Sequence, residues 1–108
     1  MSAKTKAKKT LHIAHPGELL LLEFLEPAGV SQYRLAQATG ISVSRITDLI
    51  KGRRGITPDT AIRLGNAFGT GPEIWLNLQH DYDMRIARAE KGAEYAAIVK
   101  LPELAAAA

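Results

Sequence analysis

The chain has 108 residues, a length that suits one compact domain with little left over for a second. Hydrophobic residues make up 46% and charged residues 23%, the balance of an ordinary globular protein; cysteine is absent, which excludes disulfides, thiolate metal sites and a cysteine nucleophile. No apolar run approaches the roughly 20 residues that span a bilayer, and no apolar stretch follows the basic N-terminus as in a secretory signal, so a soluble, cytoplasmic protein with no membrane partner is expected.

The net charge is only +3, but it is unevenly placed. Lys4, Lys6, Lys8 and Lys9 stand in the first fifteen residues without an acid, and Glu18, Glu23 and Glu26 follow without a base. Arg34, Arg45, Lys51, Arg53, Arg54 and Arg63 then face only Asp48 and Asp59, and the last third is mildly acidic. Positive charge gathered in a tail and in the middle third suits a polyanionic partner, although solvated basic segments without a partner are common.

Residues 1–12 are rich in Lys, Ala and Thr and have little to bury, so they read as a flexible basic arm. Pro16 opens a first helix, where its missing N–H costs nothing. That helix, Gly17 to Glu26, is apolar around most of its circumference, and Pro27 and Gly29 are expected to end it. Ser31 caps a second helix running to about Thr39, with Leu35, Ala36 and Tyr33 inward and Gly40 closing it. Ser42 caps a third, Val43 to about Lys51, whose apolar stripe is Ile46, Leu49 and Ile50. Gly52 ends it, and Arg53, Arg54 and Gly55 form a tight basic loop. Thr57 and Pro58 start a fourth helix with Ala61, Ile62, Leu64, Ala67 and Phe68 on its inner face, stopped by Gly69. Thr70, Gly71, Pro72 and Glu73 repeat the start signal for a fifth. Trp75, Leu76, Leu78 and Tyr82 carry its apolar side, and it is expected to reach about Glu90 and to break at Gly92. Residues 94–101 fit a short helix or an extended segment, and Pro102 with its alanines is expected to fray. The fold class is therefore all-α, with five helices joined by short connections.

Within this layout, residues 31–52 place two short helices across a glycine turn, with the small Ala36 where they cross. That is a helix-turn-helix, whose second helix enters a DNA major groove N-terminus first. Gly40 accepts the backbone shape of the turn, and Ile46 and Leu49 anchor the second helix to the core. Val43, Ser44, Arg45, Thr47 and Asp48 are left facing solvent or DNA. Gln32 and Ser42, at helix starts, can offer side-chain and backbone N–H groups to phosphates. Lys51, Arg53 and Arg54 follow the third helix, where they can clamp the neighbouring backbone. Helix pairs with glycine turns also occur in all-α proteins that never touch DNA, so the surrounding charge is what favours the DNA reading.

The same pattern resembles the XRE/lambda-repressor-like class. A narrower resemblance, over about residues 12–86, is to the HigA/VapI family of antitoxins. Its most specific pieces are HPGELL at 15–20, GRRGITPDTAIRL at 52–64 and PEIWLNLQ at 72–79. Gly71 stands where that family usually has a serine cap, and Ile74 replaces the usual aromatic before Trp75. The resemblance implies a five-helix, lambda-repressor-like DNA-binding domain over residues 13–90. The lysine-rich arm and residues 88–108 fall outside the resemblance; residues 91–108 read as a C-terminal extension and candidate dimerisation segment, with the fifth helix and residues 94–101 the first candidates for a dimer interface. The resemblance further implies a homodimer on a palindromic double-stranded operator, repression of its own operon, and neutralisation of a RelE-like mRNA-cleaving toxin, HigB. By position in the motif, Val43, Ser44, Arg45 and Asp48 face base edges, and Gln32, Ser42, Lys51, Arg53 and Arg54 hold phosphates. Arg45 is the expected discriminator, since its fork suits the acceptors of guanine, and Val43 suits a thymine methyl. Asp48 either accepts from cytosine or pairs with Arg45 one turn back and orients it; pairing is favoured. Arg54 is open to a surface ion pair instead of a phosphate.

Other features carry weaker chemistry. His12, His15 and His80, with Asp81 and Asp83, lack a metal-ligand spacing such as HExxH. Glu23 and Glu26 read as a solvated acidic face and not as a catalytic pair. Without a nucleophile triad or a phosphate-cradling glycine loop, no enzyme and no cofactor are expected. Trp75 among Leu76 and Leu78 reads as core, not as a base-stacking platform. The leucine-rich first helix either packs under later helices or serves a dimer or toxin interface. The lysine arm either crosses phosphates or stays solvated. A stand-alone regulator with no toxin, and an interaction module that has lost DNA binding, are the rival readings.

Overall fold

The computed structural model describes residues 12–107, and all their regular structure is helical. The first helix, α1, is one rod made of an α-helical turn Pro16–Leu19, a π-helical stretch Leu20–Leu25 and a last turn Glu26–Ala28. It is followed by α2 (Gln32–Thr39), α3 (Val43–Ile50), α4 (Pro58–Phe68), α5 (Glu73–Ala96) and α6 (Pro102–Ala107). The architecture is the expected all-α one, with one helix more than the five read from the sequence. The basic arm lies outside the described residues.

Three of the expected caps are present, at Ser31, Ser42 and Thr57, and His15 is a fourth that the sequence reading did not single out. His15, Ser31, Ser42 and Thr57 each accept a backbone N–H of the first turn that follows. This satisfies donors that no carbonyl of the same helix can reach. Gly29, Gly40 and Gly69 close α1, α2 and α4 in the left-handed region, where a Cβ would be strained.

The core is a single cluster. Leu20 and Leu25 from α1, Leu35 and Ala36 from α2, Ile46 and Leu49 from α3, Ala61 and Leu64 from α4 and Trp75 from α5 meet in it, with Ile41 and Ile56 from the connections. Trp75 is fully buried and sits against Phe24 and Phe68, with ring centroids 4.6 and 5.6 Å away, so the core reading of this tryptophan holds.

Several expected details are corrected. Pro27 does not end α1 but sits in its last turn. A proline there removes an N–H and crowds the carbonyl four residues back. The preceding π stretch, in which Glu26 N–H reaches Leu21 O, widens the helix where that crowding would fall. Tyr33 is 64% exposed, not inward; at 100° per residue it lies 200° from Leu35. Ile62 and Ala67 are exposed, because the inward stripe of α4 is Thr60, Ala61, Leu64 and Gly65. Thr70 does not cap α5. Its hydroxyl accepts the Trp75 indole N–H at 3.0 Å, a demand that full burial of the ring imposes. The break expected at Gly92 falls one residue earlier: helical geometry lapses at Lys91 (φ −131°, ψ 25°), so α5 is a rod to about Glu90 that continues to Ala96 across a kink. Pro102 opens α6 where fraying was expected, since proline at a first turn gives up no hydrogen bond. From Arg88 to Leu104 every residue except Gly92 is exposed, so this stretch contributes nothing to the core.

Candidate nucleic-acid interface

The helix pair is assembled from short-range hydrogen bonds. Ser31 Oγ accepts Arg34 N–H at 3.0 Å and starts α2. At the other end Thr39 Oγ1 donates to Leu35 O at 2.8 Å and accepts Ile41 N–H at 3.2 Å. A buried threonine thereby satisfies both itself and the turn. Gly40, at φ +76°, turns the chain, and Ser42 Oγ accepts Arg45 N–H at 3.1 Å to start α3.

The placement of α3 depends on its inner face and on one glycine. Ile46 is fully buried and Leu49 is 2% exposed. Beneath the far end of α3, Gly17 of α1 packs directly on the Leu49 carbonyl and Ile50; a Cβ at position 17 would overlap that carbonyl. The first turn of α1 is also fixed by His15, whose Nδ1 accepts Gly17 N–H at 2.9 Å and whose ring stands edge-on to Tyr82 at 4.8 Å. Burial pushes the His15 pKa down, against smaller upward pulls from Asp83 and Glu18, which suits a ring nitrogen that must accept.

Outward residues of α3 then have defined partners. Val43 and Ser44 project from its N-terminal turn and are exposed, beside backbone N–H groups of the first turn that lack intrahelical acceptors. Thr47 Oγ1 donates to Gln32 Oε1 at 3.0 Å, bolting the two helices together. Asp48 pairs not with Arg45, as favoured above, but with Arg53 at 3.5 Å. Arg45 turns instead toward α4: its Nη2 donates to Thr60 Oγ1 at 3.2 Å and lies 3.6 Å from Asp59 Oδ2. The physical reason is reach. The 48–53 turn folds Arg53 back over Asp48, with Arg53 N–H on Asp48 O at 2.8 Å, while the start of α4 presents a carboxylate and a hydroxyl to Arg45.

Lys51 and Arg54 are exposed, and among the described residues neither has an ion-pair partner. The basic loop that carries Arg53 and Arg54 is pinned from below by α5. Gln79 Oε1 accepts Ile56 N–H at 2.7 Å, and its amide donates to Asp83 at 2.9 Å. Gly55 lies directly under Gln79. Sequence reasoning passed over Gln79; its position one turn after Trp75, on the inward side of α5, was the available signal. It also passed over Asp59 and Arg63, visible as an i, i+4 pair of opposite charge. Arg63 donates to Asp59 and to Thr39 O.

Of the ten sequence-predicted residues, Gln32 stands at the start of α2, Ser42 to Asp48 at the cap and on α3, and Lys51, Arg53 and Arg54 on the turn after it; the structure joins Gln32 to Thr47 and Asp48 to Arg53, and turns Arg45 toward α4. Together these segments offer helix N-terminal N–H groups, hydroxyls and cations, the donor set that suits a phosphate backbone and groove edges. Among the described residues, no cluster of three His, Cys, Asp or Glu is placed to hold a metal, and no helix is long and apolar enough to cross a membrane.

Comparison with known proteins agrees with this geometry. The helix-turn-helix family profile matches residues 21–75. Virulence-associated protein I of Dichelobacter nodosus is 44% identical over 84 residues, covering 78% of this chain and 78% of that protein. Antitoxin HigA-1 of Vibrio cholerae is 44% identical over 68 residues, covering 63% and 64% of the two chains. Among solved structures, Pseudomonas aeruginosa antitoxin HigA with the higBA promoter superposes with a TM-score of 0.76 at 36% identity, covering 84% of this chain and 99% of that one. The chain belongs to the helix-turn-helix family of DNA-binding regulators, within its HigA/VapI antitoxin group, and not to a family of enzymes.

Proposed function

We propose that this protein is a dimeric antitoxin that binds a palindromic operator upstream of its own gene, represses that operon and neutralises a RelE-like toxin of the HigB type. The observation that carries the reading is α3 itself: anchored by Ile46 and Leu49, it leaves Val43 and Ser44 of its N-terminal turn exposed and is followed at its other end by a pinned basic loop. Val43, Ser44, Arg45, Thr47 and Asp48 meet the major groove. Gln32, Ser42, Lys51, Arg53 and Arg54 hold the flanking phosphates. Arg53 keeps donors for a phosphate while paired with Asp48, since one contact occupies only part of a guanidinium. The HigA relative solved with promoter DNA supports the DNA partner.

Residues 13–90 form the DNA-binding unit in this proposal, and residues 91–108 the dimerisation segment. Ile98, Val99, Leu101 and Leu104 are between 56% and 85% exposed, apolar side chains that a dimer partner would cover. A two-fold dimer sets two copies of α3 one DNA turn apart, roughly 34–36 Å. The site of action is the cytoplasm, where operator and toxin reside.

The test is an anisotropy titration of the protein against a labelled duplex carrying the inverted repeat upstream of its gene, beside a scrambled duplex, at moderate salt. Selective binding that weakens as salt rises is expected. Equal affinity for both duplexes would refute the repressor reading. Co-purification with a small basic RelE-like protein encoded beside the gene tests the antitoxin reading, and growth arrest unrelieved by this protein would refute it.

A further inference from the structure

We propose that Asp59 and Thr60, on α4 and outside the helix pair, are positioning residues that set base preference by holding the Arg45 side chain in one orientation. The inference rests on the DNA-binding reading above and adds two residues that neither helix of the pair contains.

The geometry is a relay across three helices. Arg63 Nε donates to both oxygens of Asp59 at 3.1 Å, and its Nη1 donates to Thr39 O, at the end of α2, at 2.8 Å. The Asp59 carboxylate is thereby fixed from one side. On its other side Oδ2 stands 3.6 Å from Arg45 Nη2. The same Nη2 donates to Thr60 Oγ1, which also accepts from the Thr57 hydroxyl at 3.3 Å. Thr60 is 4% exposed, and its backbone N–H is spent on Thr57 Oγ1, so its hydroxyl has one position to take.

Both inward contacts of Arg45 run through a single nitrogen. Nη1 takes part in neither contact, so with the second Nη2 hydrogen it is left to donate to an outside acceptor. A guanine edge accepts such donors through its N7 and O6. A free arginine loses much rotamer freedom when it is ordered on binding. Here the loss is taken on folding, so a base contact benefits in full. Salt-bridge energy is not the point: with Arg45 and Asp59 side chains 37% and 56% exposed, such a pair contributes little to stability. What it supplies is orientation.

Charge gives this role a signature that a merely structural one lacks. Asp59 is an acid beside a DNA-binding surface, so replacing it with a neutral isostere strengthens non-specific attraction to phosphates. If it positions Arg45, the same change must weaken discrimination at one base pair of each half-site. The two effects have opposite signs.

The experiment measures Asp59→Asn, Thr60→Val and Thr60→Ser by anisotropy, with thermal melts to confirm folding. The probes are the inverted repeat upstream of the gene, a panel with each base pair of one half-site replaced, and a scrambled duplex. Asp59→Asn is expected to lose about tenfold in preference at a single base pair while scrambled-duplex affinity stays equal or rises. Thr60→Val follows the same pattern, and Thr60→Ser, which keeps the hydroxyl, restores the preference. In an Arg45→Ala background, Asp59→Asn has no further effect at that base pair. Equal losses on all duplexes, or a further loss without Arg45, overturn the proposal. A gain of preference in Asp59→Asn also overturns it, since Asp59 would then be withholding Arg45 from DNA. Should Asp59→Asn fail to fold, the Thr60 pair decides alone. A wild-type protein with no preference among the duplexes refutes the DNA reading itself, which separates that failure from this one.

Discussion

Gly17→Ala is the sharpest test of how α1 sets the recognition helix. A methyl group at position 17 would overlap the Leu49 carbonyl and lie 2.9 Å from Ile50 Cα. Both are backbone atoms, so no rotamer change relieves the clash, and either the first turn of α1 or the end of α3 must move. Overpacking of this kind costs about 1–3 kcal/mol. Displacing the turn also weakens the bond from Gly17 N–H to His15 Nδ1, a cap worth about 1 kcal/mol. Alanine returns at most about 1 kcal/mol through helix propensity. The net is a loss of about 2 kcal/mol, or about 8–16 °C in Tm for a domain of this size. Urea denaturation followed by circular dichroism measures it, with Gly92→Ala as the control. Nothing lies within 4 Å of a Cβ at Gly92, so that variant should be at least as stable as wild type, gaining up to about 1 kcal/mol from helix propensity. Gly17→Ala should also weaken operator binding at temperatures where it remains folded, because α3 has shifted. A Gly17→Ala protein as stable as Gly92→Ala would refute the close-approach argument.

Other expectations follow from the same contacts. Gln79→Ala removes the acceptor of Ile56 N–H; leaving a buried donor unpaired costs about 1–3 kcal/mol, and hydrogen exchange at the Ile56 amide should quicken, an unchanged rate counting against the pinning of the basic loop. Burial lowers the His15 pKa below its ordinary 6.5, so the unfolded chain binds the proton more readily than the folded one; stability from this residue is full above that value and falls as pH drops below it. His15→Asn, which keeps a capping oxygen, should flatten the difference in Tm between pH 7 and pH 5, and an equally steep decline would assign the effect elsewhere. Lys51→Ala should weaken binding to operator and scrambled duplexes alike and reduce the slope of log affinity against log salt by about 1; a loss confined to the operator would contradict a phosphate role.

The helices, their starts and most of their ends were legible because they are local events. Ser31, Ser42 and Thr57 bond to N–H groups three residues on, and Gly40 and Gly69 close helices by their own backbone freedom, so sequence neighbours carry all the information. The apolar spacing of Ile46 and Leu49 likewise marked the buried side of α3, and so its outward side, before any coordinates. What lay beyond reach was partnership across chain distance. Asp48 and Arg45, one turn apart, looked like natural partners, yet each found a better-placed group: Arg53 on the turn behind, and Asp59 with Thr60 on α4. Thr70 was read as a cap until a buried indole claimed its hydroxyl, and Ile62 and Ala67 were read inward until packing chose a different stripe of α4. Helix periodicity and capping depend on groups a few residues apart, whereas ion-pair choice, close approach at Gly17 and the seat of the basic loop on Gln79 depend on which helices pack together, a quantity that only the folded chain determines.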